Sequence, residues 1–134
     1  MTSVLAPGMT FEKTITVAEE HVPRHLAEAG APVLSTPSMV ALVEEAALDG
    51  VQPYLAAGES TVGTRVDLRH LAPSPLGMKV TARCTIAEVD RRRLVFSVEV
   101  HDEIEKVGEG THERFIVTAT KQRERVEKKA RLKR

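Results

Sequence analysis

Three polar side chains draw attention, Thr36 at the expected start of a helix and Glu44 and His70 on faces that are otherwise mainly apolar. Thr36 and Glu44 lie in "STPSMVALVEEAAL", 35–48, a run of mostly apolar residues broken by two adjacent carboxylates. A hydroxyl, a carboxylate and an imidazole are the groups that nucleophilic and general acid–base chemistry require. The pattern alone leaves a plain structural reading open for each. Thr36 precedes Pro37, so its hydroxyl reads equally as the cap of a helix whose first turn tolerates proline. Glu44 sits at the margin of an apolar arc, in the row Val40, Glu44, Ala47, Val51. From there a carboxylate either reaches water or is partly buried and needs a partner. Glu45 points the other way and reads as surface. His70 closes a strand whose same-parity residues are mainly apolar, just before "LAPSPLG". It is either satisfied by backbone groups there or presented on a rigid edge for chemistry.

The elements that must position these groups follow from periodicity. Met39, Val40, Val43, Ala46, Ala47, Gly50, Val51 and Tyr54 fall on one face at 100° per residue, which predicts an amphipathic helix from Thr36 to about 53–58. Phe11, Ile15 and Val17 share one parity, which predicts a first strand over 11–18. Between them, 21–34 carries Pro23, Gly30 and Pro32 and reads as a loop or short irregular cover, a candidate lid. After the helix, Val62, Thr64, Val66, Leu68 and His70 alternate with Arg65, Asp67 and Arg69. Segments 78–86 and 94–100 also alternate and are joined by "DRRR", 90–93, as a hairpin. A last strand over 107–119 puts Gly108, Gly110, His112, Arg114 and Ile116 on one side. One helix followed by four strands with short connections gives an α+β plan, a mostly antiparallel sheet covered by a single helix. The length of 134 residues suits one domain over 1–134, with a loose lead-in at 1–10 and a basic tail at 121–134.

Composition narrows the partners. Lys plus Arg is 19 and Asp plus Glu is 19, so no overall charge draws the chain to nucleic acid or a membrane. The tail "KQRERVEKKARLKR" holds eight basic and two acidic residues, reads as a solvated helix or frayed end, and lacks the aromatics of a nucleic-acid contact. The single cysteine, Cys84, excludes an internal disulfide and suits a reducing compartment. No signal peptide or long apolar span is visible, so the expectation is a soluble cytoplasmic protein. The five histidines are too scattered for a zinc site, and no phosphate loop or hydrolase elbow occurs, so no metal is expected.

The stretch from Thr36 through Glu44, then "PYLAAGESTVGTRVDLRHLAPSPLG" and "HDEIEKVGEGTHERFIV", resembles the fluoroacetyl-CoA thioesterase family of hot-dog-fold proteins. The likeness runs from about 33 to 121, and "GEGTHER" together with "VGT" and its following histidine are its most specific parts. It implies a hot-dog fold, an antiparallel sheet wrapped around one long central helix, with two protomers joined edge to edge. It implies catalytic roles for Thr36, Glu44 and His70 and substrate positioning by Gly63 and Arg114. The implied activity is hydrolysis of an acyl-CoA thioester to free acid and CoA, with no cofactor beyond the coenzyme A carried by the substrate. The fluoroacetyl enzyme of that family carries phenylalanines in a lid before the central helix, whereas "LAEAGAPVL", 26–34, has no aromatic. A short-chain or small aromatic acyl group is therefore expected rather than a fluorinated one.

Within such a site Glu44 would act as nucleophile or as base on water, His70 would orient or shuttle protons, and Thr36 would hold the reacting group or serve as nucleophile itself. A peptide N–H near Gly63 would polarise the thioester carbonyl. Arg114 would meet a CoA phosphate or pair with a carboxylate. Eight residues of regular helix place Thr36 and Glu44 about 12 Å apart along the axis, too far for a hydrogen bond. Either the first turn is irregular, or a homodimer shares its sites between chains. Other uses of the fold are an enoyl-CoA hydratase-like enzyme, which has no need of Thr36, and a non-catalytic acyl-CoA-binding domain.

Overall fold

The computed structural model describes residues 4–133; positions 1–3 of the expected lead-in and position 134 of the tail lie outside them. The elements are β1 (Thr10–Thr16), α1 (Arg24–Glu28), α2 (Thr36–Val51), β2 (Glu59–His70), β3 (Lys79–Asp90), β4 (Arg93–Asp102), β5 (Lys106–Thr118) and α3 (Ala119–Arg131). The strands form one sheet in the order β1-β3-β4-β5-β2, every pairing antiparallel. α2 lies against its concave side and buries Met39, Leu42, Val43, Ala46, Ala47 and Val51. The sheet supplies Val80, Ala82, Cys84, Ile86, Leu94, Phe96, Val98 and Val100 to the same core. Each fully buried Val, Leu, Ile, Met or Phe side chain among them contributes about 1.5–3 kcal/mol from water exclusion.

Two features of the expected pattern are corrected. On α2, Leu42 is buried although the helical wheel left it off the apolar face, while Val40 is only half-buried and Tyr54 lies beyond the end of the helix at Val51; β1 packs along the helix. A Cβ at Gly50 would run into the Phe11 ring, so glycine is what lets β1 come this close. Lys13 of β1 then pairs with Glu45 at 2.9 Å and Asp49 at 3.1 Å, which places Glu45 on the outer face as expected. In β2, Val62 and Thr64 do not share a side with Val66, Leu68 and His70. Gly63 is opposite Arg114 and Arg65 is opposite Glu113, so Thr64 is an extra residue, a β-bulge that reverses the alternation. Thr61 and Gly63 before it, and Val66, Leu68 and His70 after it, share the helix-facing side with Arg114 and His112.

The expected hairpin joins β3 and β4 through Arg91, whose φ of 58° is in the left-handed region. The segment before α2 contains a short 3-10 turn at Glu19–His21 and the short helix α1. The tail continues as α3, whose Thr118 hydroxyl caps Lys121 N and which buries none of its residues. No helix among the described residues is long and apolar enough to cross a membrane.

Candidate active site

Thr36 is not the cap of α2. Ser35 takes that place, its side chain accepting from Ser38 N at 3.1 Å, and Pro37 follows within the first turn. The Thr36 hydroxyl is thus free of helix capping and lies 2.9 Å from His70 Nδ1. The chain brings the two together by tying the loop after β2 to the segment before α2. Leu34 N donates to the Ser74 carbonyl at 2.9 Å and Leu76 N to the Pro32 carbonyl at 3.1 Å. Ser74 itself is fully buried and held to Asp102 Oδ2 at 2.9 Å, so the loop is pinned from below.

His70 ends β2 opposite Gly108, where a Cβ would crowd Met39 Sδ at 2.7 Å. Glycine there lets the Met39 side chain pack directly against β5. His70 Nε2 is buried without a hydrogen-bond partner among the described residues. Burial lowers the pKa of the ring below the usual histidine value, an effect partly offset by the Ala72 backbone. A neutral imidazole beside a hydroxyl is the arrangement that acid–base work on that hydroxyl needs. Beside the pair opens a cleft of about 820 Å³ walled by Val22, Leu26, Val33, Leu71 and Pro73. This volume lies in the range of small-ligand sites, and its lining suits an apolar group.

Glu44 belongs to a second cluster. Its side chain is 41 % exposed, and its Oε2 accepts from Arg114 Nη1 at 3.5 Å. It also faces Gly63, where any Cβ would collide with the same carboxylate oxygen. Arg114 is 4 % exposed and its donors are spent inside the protein. Nε donates to Thr61 Oγ1 at 2.7 Å and Nη2 to the Thr61 carbonyl at 3.0 Å. Burial lowers its pKa while the Glu44 charge opposes that shift. Of the two roles open to Arg114, this geometry suits the carboxylate pair, since a guanidinium so enclosed does not reach out to a phosphate.

The structure therefore joins Thr36 to His70, and Glu44 to Gly63 and Arg114, at different heights of α2. The helix is regular from Thr36 to Val51, which removes the irregular first turn as a way to unite them within one chain. Sequence reasoning missed Thr61, hidden by the reversal of parity in β2, and His112. The signal for His112 was its place two residues before Arg114 on one strand face. Cys84 is no competitor as nucleophile, because burial pushes its thiol up to about 12. Among the described residues, no group of three or more His, Cys, Asp or Glu side chains is placed to hold a metal ion.

Comparison with known proteins identifies the family and the fold. The family described as FlK, fluoroacetyl-CoA-specific thioesterase, matches residues 17–120. A fluoroacetyl-CoA thioesterase from Streptantibioticus cattleyicolor is 37 % identical over 97 residues, 72 % of this chain and 70 % of that protein. A solved structure of the fluoroacetyl-CoA thioesterase FlK superposes with a TM-score of 0.86 at 32 % identity, covering 95 % of this chain and 98 % of that one. A hot-dog-like protein from Thermanaerovibrio acidaminovorans gives 0.84 at 25 % identity, covering 92 % and 91 %. With a family match across most of its length and the sheet-wrapped helix of these relatives, the chain belongs to the fluoroacetyl-CoA-specific thioesterase family and has the hot-dog fold.

Proposed function

We propose that the chain is a cytoplasmic acyl-CoA thioesterase that hydrolyses a short-chain or small aromatic acyl thioester to free acid and CoA. It works as a homodimer in which Glu44 of one protomer meets Thr36 and His70 of its partner. The observation that carries this reading is the Thr36–His70 pair, 2.9 Å apart at the mouth of an apolar cleft. A hydratase has no use for that hydroxyl, which further favours hydrolysis.

In the proposed reaction Glu44 takes a proton from water as the water adds to the thioester carbonyl. A peptide N–H beside Gly63, on a strand with a single neighbour and interrupted there by the bulge, stabilises the oxyanion. The Thr36 hydroxyl, held by His70, orients the reacting group. Collapse of the adduct breaks the C–S bond, and the proton on Glu44 passes to the departing thiolate. Coenzyme A enters only as part of the substrate.

Purified protein is assayed for hydrolysis of acetyl-, butyryl-, hexanoyl- and benzoyl-CoA, beside Glu44→Gln and His70→Ala. Hydrolysis by the wild type is expected, with kcat lower by about 10²- to 10⁴-fold in each variant. Undiminished turnover in Glu44→Gln, or hydration of crotonyl-CoA in place of hydrolysis, would overturn the reading.

A further inference from the structure

Arg114 is a buried cation facing one carboxylate, and such a group is tolerated only where its N–H donors find acceptors. Thr61 fixes Nε and Nη2. Nη1, the donor that faces Glu44, has one other partner, Nε2 of His112 at 3.2 Å. Since Nη1 donates, that Nε2 is the acceptor, and the proton of the neutral ring belongs on Nδ1. Nδ1 lies 2.8 Å from the Arg65 carbonyl, which accepts it. Arg65 is the first paired residue after the bulge, so a single ring joins the bulged strand to the guanidinium. The ring is 1 % exposed and stacked on Phe96 with centroids 6.0 Å apart, so packing holds it in this orientation.

We propose that His112 is a positioning residue for Glu44: its Nδ1–H is clamped to the Arg65 carbonyl, and its Nε2 aims Arg114 Nη1 at the carboxylate beside Gly63. The proposal rests on the reading of Glu44 as the base. Without an acceptor at Nε2, Nη1 keeps only the long bond to Glu44, and the guanidinium is steered by Thr61 alone. The charged groups near the ring are Arg114 and Glu113 on its own strand and Glu44 on α2. Burial and the neighbouring Arg114 both disfavour the imidazolium, which keeps Nε2 free to accept.

The test compares His112→Gln, whose amide supplies both a donor NH2 and an acceptor oxygen, with His112→Leu, which fills similar space with neither. In His112→Leu, kcat is expected to fall by about 10- to 100-fold, the loss of one charge-assisted hydrogen bond, with KM nearly unchanged. His112→Gln is expected to recover most of that loss. Val80→Ala, a core variant remote from the cluster, controls for lost stability and should keep its kcat. Equal impairment of the Gln and Leu variants, or an unimpaired Leu variant of an active enzyme, overturns the proposal. Nitrogen-15 NMR of the folded wild type should find His112 protonated on Nδ1 and bare on Nε2. The opposite tautomer overturns the proposal too, and this readout stands whether or not the chain hydrolyses any thioester.

Discussion

His70 Nδ1 can accept a hydrogen bond from the Thr36 hydroxyl, and so hold it in place, only while the ring is neutral, and burial extends that state to lower pH than an ordinary histidine allows. The same lowering acts on folding, and His112 shares it. For a group whose pKa is lower in the folded than in the unfolded chain, stability is full above the unfolded value and declines as pH falls toward the folded one. The window therefore opens near pH 6.5, the ordinary histidine value, and extends downward. Thermal melts of the wild type from pH 8 to 5 should show a falling Tm below about 6.5, and His112→Gln should flatten that slope. A slope that the substitution leaves untouched would remove His112 from this account. At this scale the sequence was readable where a polar group interrupted an apolar run. Glu44 and His70 stood out for that reason, and Thr36 through its place before Pro37 and the family resemblance, whereas His112 sits among polar residues in "GTHER" and carried no such mark.

The start of α2 separates two neighbouring hydroxyls that sequence patterns treat alike. Ser35 caps the helix and Thr36 faces His70. Ser35→Ala is expected to cost about 1 kcal/mol of stability, as loss of an N-cap does. Thr36→Val should leave stability within about 0.5 kcal/mol and abolish most hydrolysis, because its hydroxyl caps nothing. Urea unfolding and kinetics on both variants check this, and a reversed assignment would show as a destabilised Thr36→Val. Strands, the central helix and the irregular segment before it were all legible from alternation, proline and glycine. The bulge in β2 was not, since an inserted residue is set by the partner strand and "VGT" reads as unbroken alternation. That one insertion hid Thr61 and Gly63 from the helix-facing side while leaving Leu68 and His70 correctly placed.

Over the whole molecule, the sheet ends on β2, whose residues from Gly63 to Asp67 are exposed, so the strand beside the Glu44 cluster has backbone left to pair. A second copy joined there is the occupant that the proposed shared site needs. Thr36→Ala and Glu44→Ala chains, each expected to be inactive alone, should regain one working site of two when combined as a mixed dimer. Failure of the mixture to regain any turnover would confine each site to one chain. The edge was legible as a strand, but a monomer's sequence gives no periodic signal for what pairs with it. A regular α2 also bears on how the protein would behave when scarce. Each lone subunit would hold two incomplete halves on a rigid rod, so specific activity should fade on dilution and return on reconcentration, faster than any refolding of the chain.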